Sequence, residues 1–214
     1  MNIRVATLAL LLVISVCSYA NAYTIDYSNF TDTGSEFTSN YTGAIVETFD
    51  NQTLLWEWDG DGAIVTGSVS AKYAAPAYST SVRDSSNYLT VPNPSSNGSI
   101  TAKLGTKYNY FGLWWGSVDD YNYLSFYNGI DLVATISGVD IINPANGNQV
   151  APSHNLYVNL YDLQDFDSFT LTSSSYAFEV DNIAVGVAPL PEPATFILLG
   201  SGLAGLAFYR RKRK

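Results

Sequence analysis

From Tyr23 to Leu190 no apolar period of 3.6 residues lasts more than a few positions. Tyr, Thr, Val, Ile, Phe and Trp instead come in short runs cut by Gly, Pro, Asn and Ser. Runs of that composition and length build strands, not helices. We place strands near 24–27, 44–47, 54–58, 63–69, 88–91, 99–104, 109–114, 123–127, 130–137, 157–160, 168–173 and 177–187, with 73–87 and 143–154 as loops. No internal repeat or linker divides this stretch, and its length suits one domain. The expected fold is all-β, an antiparallel β-sandwich of jelly-roll or lectin-like type.

The hairpin around Asn128-Gly129 is the most constrained piece. A two-residue loop pairing Tyr127 with Ile130 would scatter the apolar residues over both faces. A three-residue loop, Tyr127-Asn128-Gly129, with Gly129 in the left-handed position, pairs Phe126 with Ile130 and Leu124 with Leu132. That register predicts Leu124, Phe126, Ile130, Leu132, Ala134 and Ile136 on the inward face.

Both ends of the chain read as targeting signals. Arg4 precedes an apolar run, Val5 to Cys17, and Ala20-Asn21-Ala22 supplies an Ala-x-Ala cleavage site, so residues 1–22 read as a secretory signal peptide and the mature chain as starting at Tyr23. A lipobox reading of Ile14-Ser15-Val16-Cys17 meets a bulky Val16 where a small residue is usual. Cys17 is the chain's one cysteine, so the mature domain is expected to lack disulfides and thiol chemistry. At the other end Pro191-Glu192-Pro193 is followed by an apolar run, Ala194 to Tyr209, and then by Arg210, Arg211, Lys212, Arg213 and Lys214. As a helix the run would reach about 24 Å, against a hydrocarbon core of roughly 30 Å. Snorkelling of Tyr209 and the cations, with local thinning of the bilayer, makes up the difference, and the basic end stays cytoplasmic.

This three-part tail, residues 191–214, closely resembles the sorting signal of the PEP-CTERM proteins of Gram-negative bacteria. The resemblance implies that a membrane-embedded exosortase cuts at Pro191-Glu192-Pro193 and passes the protein to the cell surface. Within the 23–190 ectodomain, Val65 to Ser70, Tyr73 to Pro76, Tyr110 to Gly129, Pro144 to Gln149 and Tyr176 to Ala184 resemble one subgroup of exosortase-dependent surface proteins. That subgroup brings no activity with it. Expected partners are the secretion machinery with its signal peptidase, the exosortase, and the inner membrane while the precursor is tethered there. The expected destination is the cell surface or extracellular matrix.

Charge narrows what the ectodomain meets. Four cations, Lys72, Arg83, Lys103 and Lys107, stand against eighteen acids, a net of −14. Such a field repels phosphate backbones, which argues against nucleic acid as a partner. Catalysis has little support: His154 is the only histidine, and Ser153 beside it lies in no Gly-x-Ser-x-Gly elbow. A pair of acids in a cleft would suffice for a glycan hydrolase. Calcium fits the acids better. Asp59 and Asp61, in Glu57-Trp58-Asp59-Gly60-Asp61-Gly62, alternate like the first half of an EF-hand loop, although Ser68 stands where a bidentate Glu is wanted. Asp181 in the last strand, completed by Asp50, is a second candidate, because many jelly-roll carbohydrate-binding modules, which this end looks like, carry a structural calcium on such an Asp. The plainer reading of the first pair is an acidic β-turn. For sugar, Trp114 and Trp115 are adjacent in a strand and point to opposite faces, one into the core and the other to the outer side or a second layer. Tyr121, Tyr123 and Tyr127 would extend an outer stripe. Aromatic rings in a sandwich more often serve as core. The expected function is therefore a non-enzymatic surface or matrix protein that acts by binding or assembly. The alternatives are a calcium-stabilised exopolysaccharide-binding module and an exported glycan hydrolase.

Overall fold

A computed structural model describes residues 23–28 and 37–189, together with Gly200, Leu203 and Arg211, which are helical. The signal-peptide residues Ala20 and Ala22 lie outside the described residues. So do Pro191, Glu192, Pro193, Arg210, Lys212, Arg213 and Lys214. No helix among the described residues is long and apolar enough to cross a membrane.

Among the described residues, twelve strands form two antiparallel sheets. The larger runs in the order β1 (Thr24–Tyr27), β10 (Leu156–Tyr161), β7 (Tyr110–Gly116), β12 (Phe178–Gly186), β5 (Tyr88–Val91) and β4 (Ala63–Val65), with β2 (Ile45–Glu47) also pairing with β12. The smaller runs β3 (Glu57–Gly60), β6 (Gly98–Tyr108), β11 (Phe166–Ser173), β8 (Asn122–Asn128) and β9 (Asp131–Ser137). The sheets enclose one core. Phe111, Leu113, Trp115, Val158, Phe178, Val180 and Ile183 come to it from the larger sheet, and Ile100, Leu124, Phe126, Phe166, Phe169 and Leu171 from the smaller. This is a β-sandwich. The expected strand at 63–69 stops at Val65, because Val69 turns back to bridge Tyr73.

The hairpin differs from the expected register. Asn128 pairs with Asp131 around a two-residue turn, Gly129-Ile130, in which Gly129 takes φ +62°. The extra residue is not in the loop but in β9: Tyr127 faces Leu132 and Phe126 faces Ala134, so Val133 is bulged. A bulge shifts the side-chain alternation by one. Val133 therefore turns inward, while Leu132 is 59% exposed and Ile130 97% exposed, against the inward placement expected for both. Leu124, Phe126 and Ile136 are buried as expected.

The two sheets end differently on their outer sides. Strand β6 alternates, with Ile100, Ala102 and Leu104 buried and Thr101 and Lys103 facing out. Every residue of β7 and of β12 is buried, as happens when a sheet is covered on both faces. The cover is two stretches of loop. Residues 37–44 are pinned by Asn40 N–H donating to Asn159 Oδ1 (3.1 Å) and by Asn182 Nδ2 donating to the Phe37 carbonyl (3.0 Å). A strap at 67–84 is pinned by Tyr88 OH donating to the Gly67 carbonyl (2.6 Å) and Ala77 N–H donating to Asn155 Oδ1 (2.9 Å). Gly112 is required beneath this cover, since a Cβ there would come within 2.7 Å of the Tyr110 hydroxyl and 2.9 Å of that of Tyr157.

Candidate functional site

The strap, the turn after β7, the 143–154 loop and the turn before β12 meet at one end of the sandwich. The acid at their junction is Glu179, second residue of β12 and 3% exposed. Its Oε1 accepts Ala74 N–H from the strap (2.8 Å) and its Oε2 the Ser117 hydroxyl (3.1 Å). Glu179 points outward with its cross-strand neighbours Thr90 and Gly116 on either side. Burial pushes the carboxyl up to about 8; the two hydrogen bonds oppose this and the nearby Asp119 adds to it. At neutral pH Glu179 is thus a protonated, uncharged acid.

Asp119 begins a second cluster on the turn after β7. Burial raises its carboxyl to about 6 even though the Tyr121 hydroxyl donates to Oδ2 at 2.7 Å. Gly147 is pressed against it: a Cβ at Gly147 would lie 2.1 Å from Asp119 Oδ1. His154 Nε2 donates to the Pro144 carbonyl at 3.1 Å, and its Nδ1 is hydrogen-bonded with the Ser153 hydroxyl at 3.1 Å. With both ring nitrogens so engaged, no carboxylate orients the imidazole as a Ser-His-Asp triad requires.

A cavity of about 380 Å³ opens beside Glu179, lined by the strap from Ser68 to Ala74, by Gln149 and by Ser175 to Ala177. Sequence reading missed this site. Glu179 sits in an alternating strand motif that says nothing about the loops closing over it. The one available signal was a pair of acids, Glu179 and Asp181, within the otherwise largely apolar run Ala177 to Val187, which only buried partners or a neutral carboxyl explain.

The expected site residues fall in different places. Trp115 is in the core, its ring 4.4 Å from that of Phe178. Trp114 forms a second layer with Phe37 and Tyr78, at 4.8 and 4.4 Å. Neither ring meets solvent, so the sugar platform expected of them is corrected: the 37–44 and 67–84 cover occupies that face. Tyr121 is half-buried on Asp119. Tyr123 and Tyr127 alone extend an outer stripe, on the smaller sheet, where Tyr123 is 41% exposed. They stand among hydroxyls, with Thr101 and Thr170 bonded at 2.8 Å and Ser125 and Thr135 at 3.0 Å.

The four calcium candidates are spread over the fold. Asp59 lies on β3 opposite Thr101, and Asp61 packs against Gly98. Asp50 accepts Asn87 N–H at 2.9 Å. Asp181 is buried on the covered face opposite Trp114 and accepts Asn182 N–H at 2.7 Å. No three His, Cys, Asp or Glu side chains are grouped as a metal would need among the described residues.

Residues 189–214 match the family model of the PEP-CTERM protein-sorting motif. The motif implies an exported protein, held in the membrane before release, that an exosortase processes. No curated protein matches the sequence. The solved structure of CpGH89CBM32-6, produced by Clostridium perfringens, overlaps 60% of this chain and 94% of its own at 10% identity and a TM-score of 0.33, a likeness too slight to bear on function.

Proposed function

We propose that a chain whose tail carries the PEP-CTERM motif delivers its β-sandwich to the cell surface or extracellular matrix, where it acts without catalysis, by binding or assembly. The observation that carries this reading is the motif match over residues 189–214. Binding is favoured over hydrolysis because a glycan hydrolase works with two acids facing one cleft. Glu179 is the one acid on the cavity wall among the described residues. The test is the intact mass of the protein recovered from the envelope and medium of its host. The expected species starts at Tyr23 and lacks everything beyond the Pro-Glu-Pro region. A mass that retains Ala194 to Lys214 makes it a membrane-anchored protein and overturns the surface reading.

A second reading, glycan binding on the open face, draws support from Tyr123 and Tyr127 standing beside a row of Ser and Thr hydroxyls. A specific glycan-array signal lost in a Tyr123→Ala/Tyr127→Ala double variant of unchanged melting temperature would establish it, and loss of that signal in EDTA would add structural calcium.

A further inference from the structure

We propose that the cavity between the strap and the start of β12 is a binding site for a small neutral polyhydroxyl ligand, either a single sugar or the terminal residue of a glycan. The inference deepens the binding reading of the ectodomain and is independent of how the tail is sorted.

At about 380 Å³ the cavity stands near the small end of the range for ligand pockets. Lys72 and Tyr73 of the strap, Gln149, Ser175 and Tyr176 bring an ammonium, an amide, hydroxyls and two rings to one space. Tyr176 offers its ring, since its hydroxyl is committed to the Pro94 carbonyl at 2.8 Å. Flat apolar faces beside mixed donors and acceptors suit a sugar, which has one apolar face and a hydroxyl edge. Charge on the walls narrows the class further. Glu179 opposes an anion as it ionises, and Lys72 opposes a cation, so a neutral ligand meets the least resistance.

The backbone distinguishes this space from a packing gap. Ala71, on the cavity wall, is held in a left-handed conformation at φ +61° although it is not glycine, and Ser117, which donates to Glu179 behind that wall, is held at φ +42°. Such conformations persist where surrounding structure enforces them, and they gather at ligand sites.

The experiment is isothermal titration of the full-length chain in detergent. The probes are D-glucose, D-galactose, N-acetyl-D-glucosamine and disaccharides of each, with glucuronate and glucosamine as charged counterparts. We expect at least one neutral probe to bind, and its charged analogue to bind about tenfold more weakly or not at all. The monosaccharide and disaccharide arms separate a free sugar from a glycan end. Ser175→Trp, which fills the cavity from an exposed position, is expected to abolish binding at an unchanged melting temperature. Should that variant fail to fold, Gln149→Ala on the exposed loop is expected to weaken binding about fivefold, the loss of one hydrogen bond. No neutral probe binding in the millimolar range overturns the proposal, as does binding that survives these variants. Binding lost instead in Tyr123→Ala/Tyr127→Ala would move the site to the open face.

Discussion

The outer faces of the two sheets come from strands of similar composition and meet opposite environments. On the smaller sheet the outward positions are Thr101, Thr170, Ser125, Tyr123 and Thr135, each at least partly exposed. On the larger sheet the outward positions are Tyr110, Trp114, Tyr157, Asn159, Glu179 and Asp181, all buried beneath the two covering segments. Loops thus act as a third layer on one side of this sandwich. Once they do, polar side chains on the covered face must find partners within the protein, and a carboxyl left there changes its protonation instead of its position.

The largest expected effects test whether the cover is packed as a core. Trp114→Ala and Trp115→Ala should each cost about 3–5 kcal/mol in urea denaturation, because both rings are fully buried. Tyr123→Ala on the open face should stay within about 0.5 kcal/mol. A Trp114→Ala cost as small as that of Tyr123→Ala would mean the cover contributes no layer at all.

Next comes pH. The folded-state value of Glu179 is raised from an ordinary 4.5 to about 8, so the unfolded chain ionises first. Stability should be greatest below pH 4.5, decline by on the order of a few kcal/mol as pH climbs to about 8, and level off above it. Asp119, raised from 3.8 to about 6, adds a smaller decline that is complete earlier. The ionisable groups acting on Glu179 and Asp119 from the neighbouring elements are Asp120, Tyr88, Tyr121 and His154. Glu179→Gln preserves an acceptor for Ala74 and should flatten the slope between pH 6 and 8. An unchanged slope in that variant would assign the titration elsewhere.

Legibility in the sequence follows the same division. Strands β1 and β5 fall at the residues the composition predicts, and the alternation of β8 is readable because one face meets water. The bulge at Val133 was not readable. A loop bulge and a strand bulge bury nearly the same apolar residues, and the choice turned on whether Val133 or Leu132 fits the core. The covered face was less readable still. Adjacent Trp114 and Trp115 announce two opposed faces, but nothing in strand periodicity tells a solvated outer face from one roofed by Phe37 and Tyr78. The environment of Glu179 was unreadable for that reason: it comes from segments 62 and 105 residues earlier.

A matched pair of hydroxyl deletions sharpens the contrast at smaller scale. The Tyr110 hydroxyl donates to Asn159 Oδ1 at 2.6 Å within the covered face and also meets Ser39, so Tyr110→Phe should cost about 1–2 kcal/mol and loosen the 37–44 segment toward proteolysis. On the open face Thr170 makes a 2.8 Å bond to Thr101, yet water replaces it when Thr170→Val removes the hydroxyl, and valine favours the strand. Its expected effect is within about 0.5 kcal/mol of zero. Smallest of all is Lys103→Ala, which removes the 3.1 Å ion pair with Glu57. Both side chains are more than half exposed, so the pair contributes no more than about 0.5 kcal/mol and less in salt. A salt-insensitive loss above 1 kcal/mol at Lys103 would require that this face, too, is covered when the protein is assembled, and would make the open sheet the contact surface.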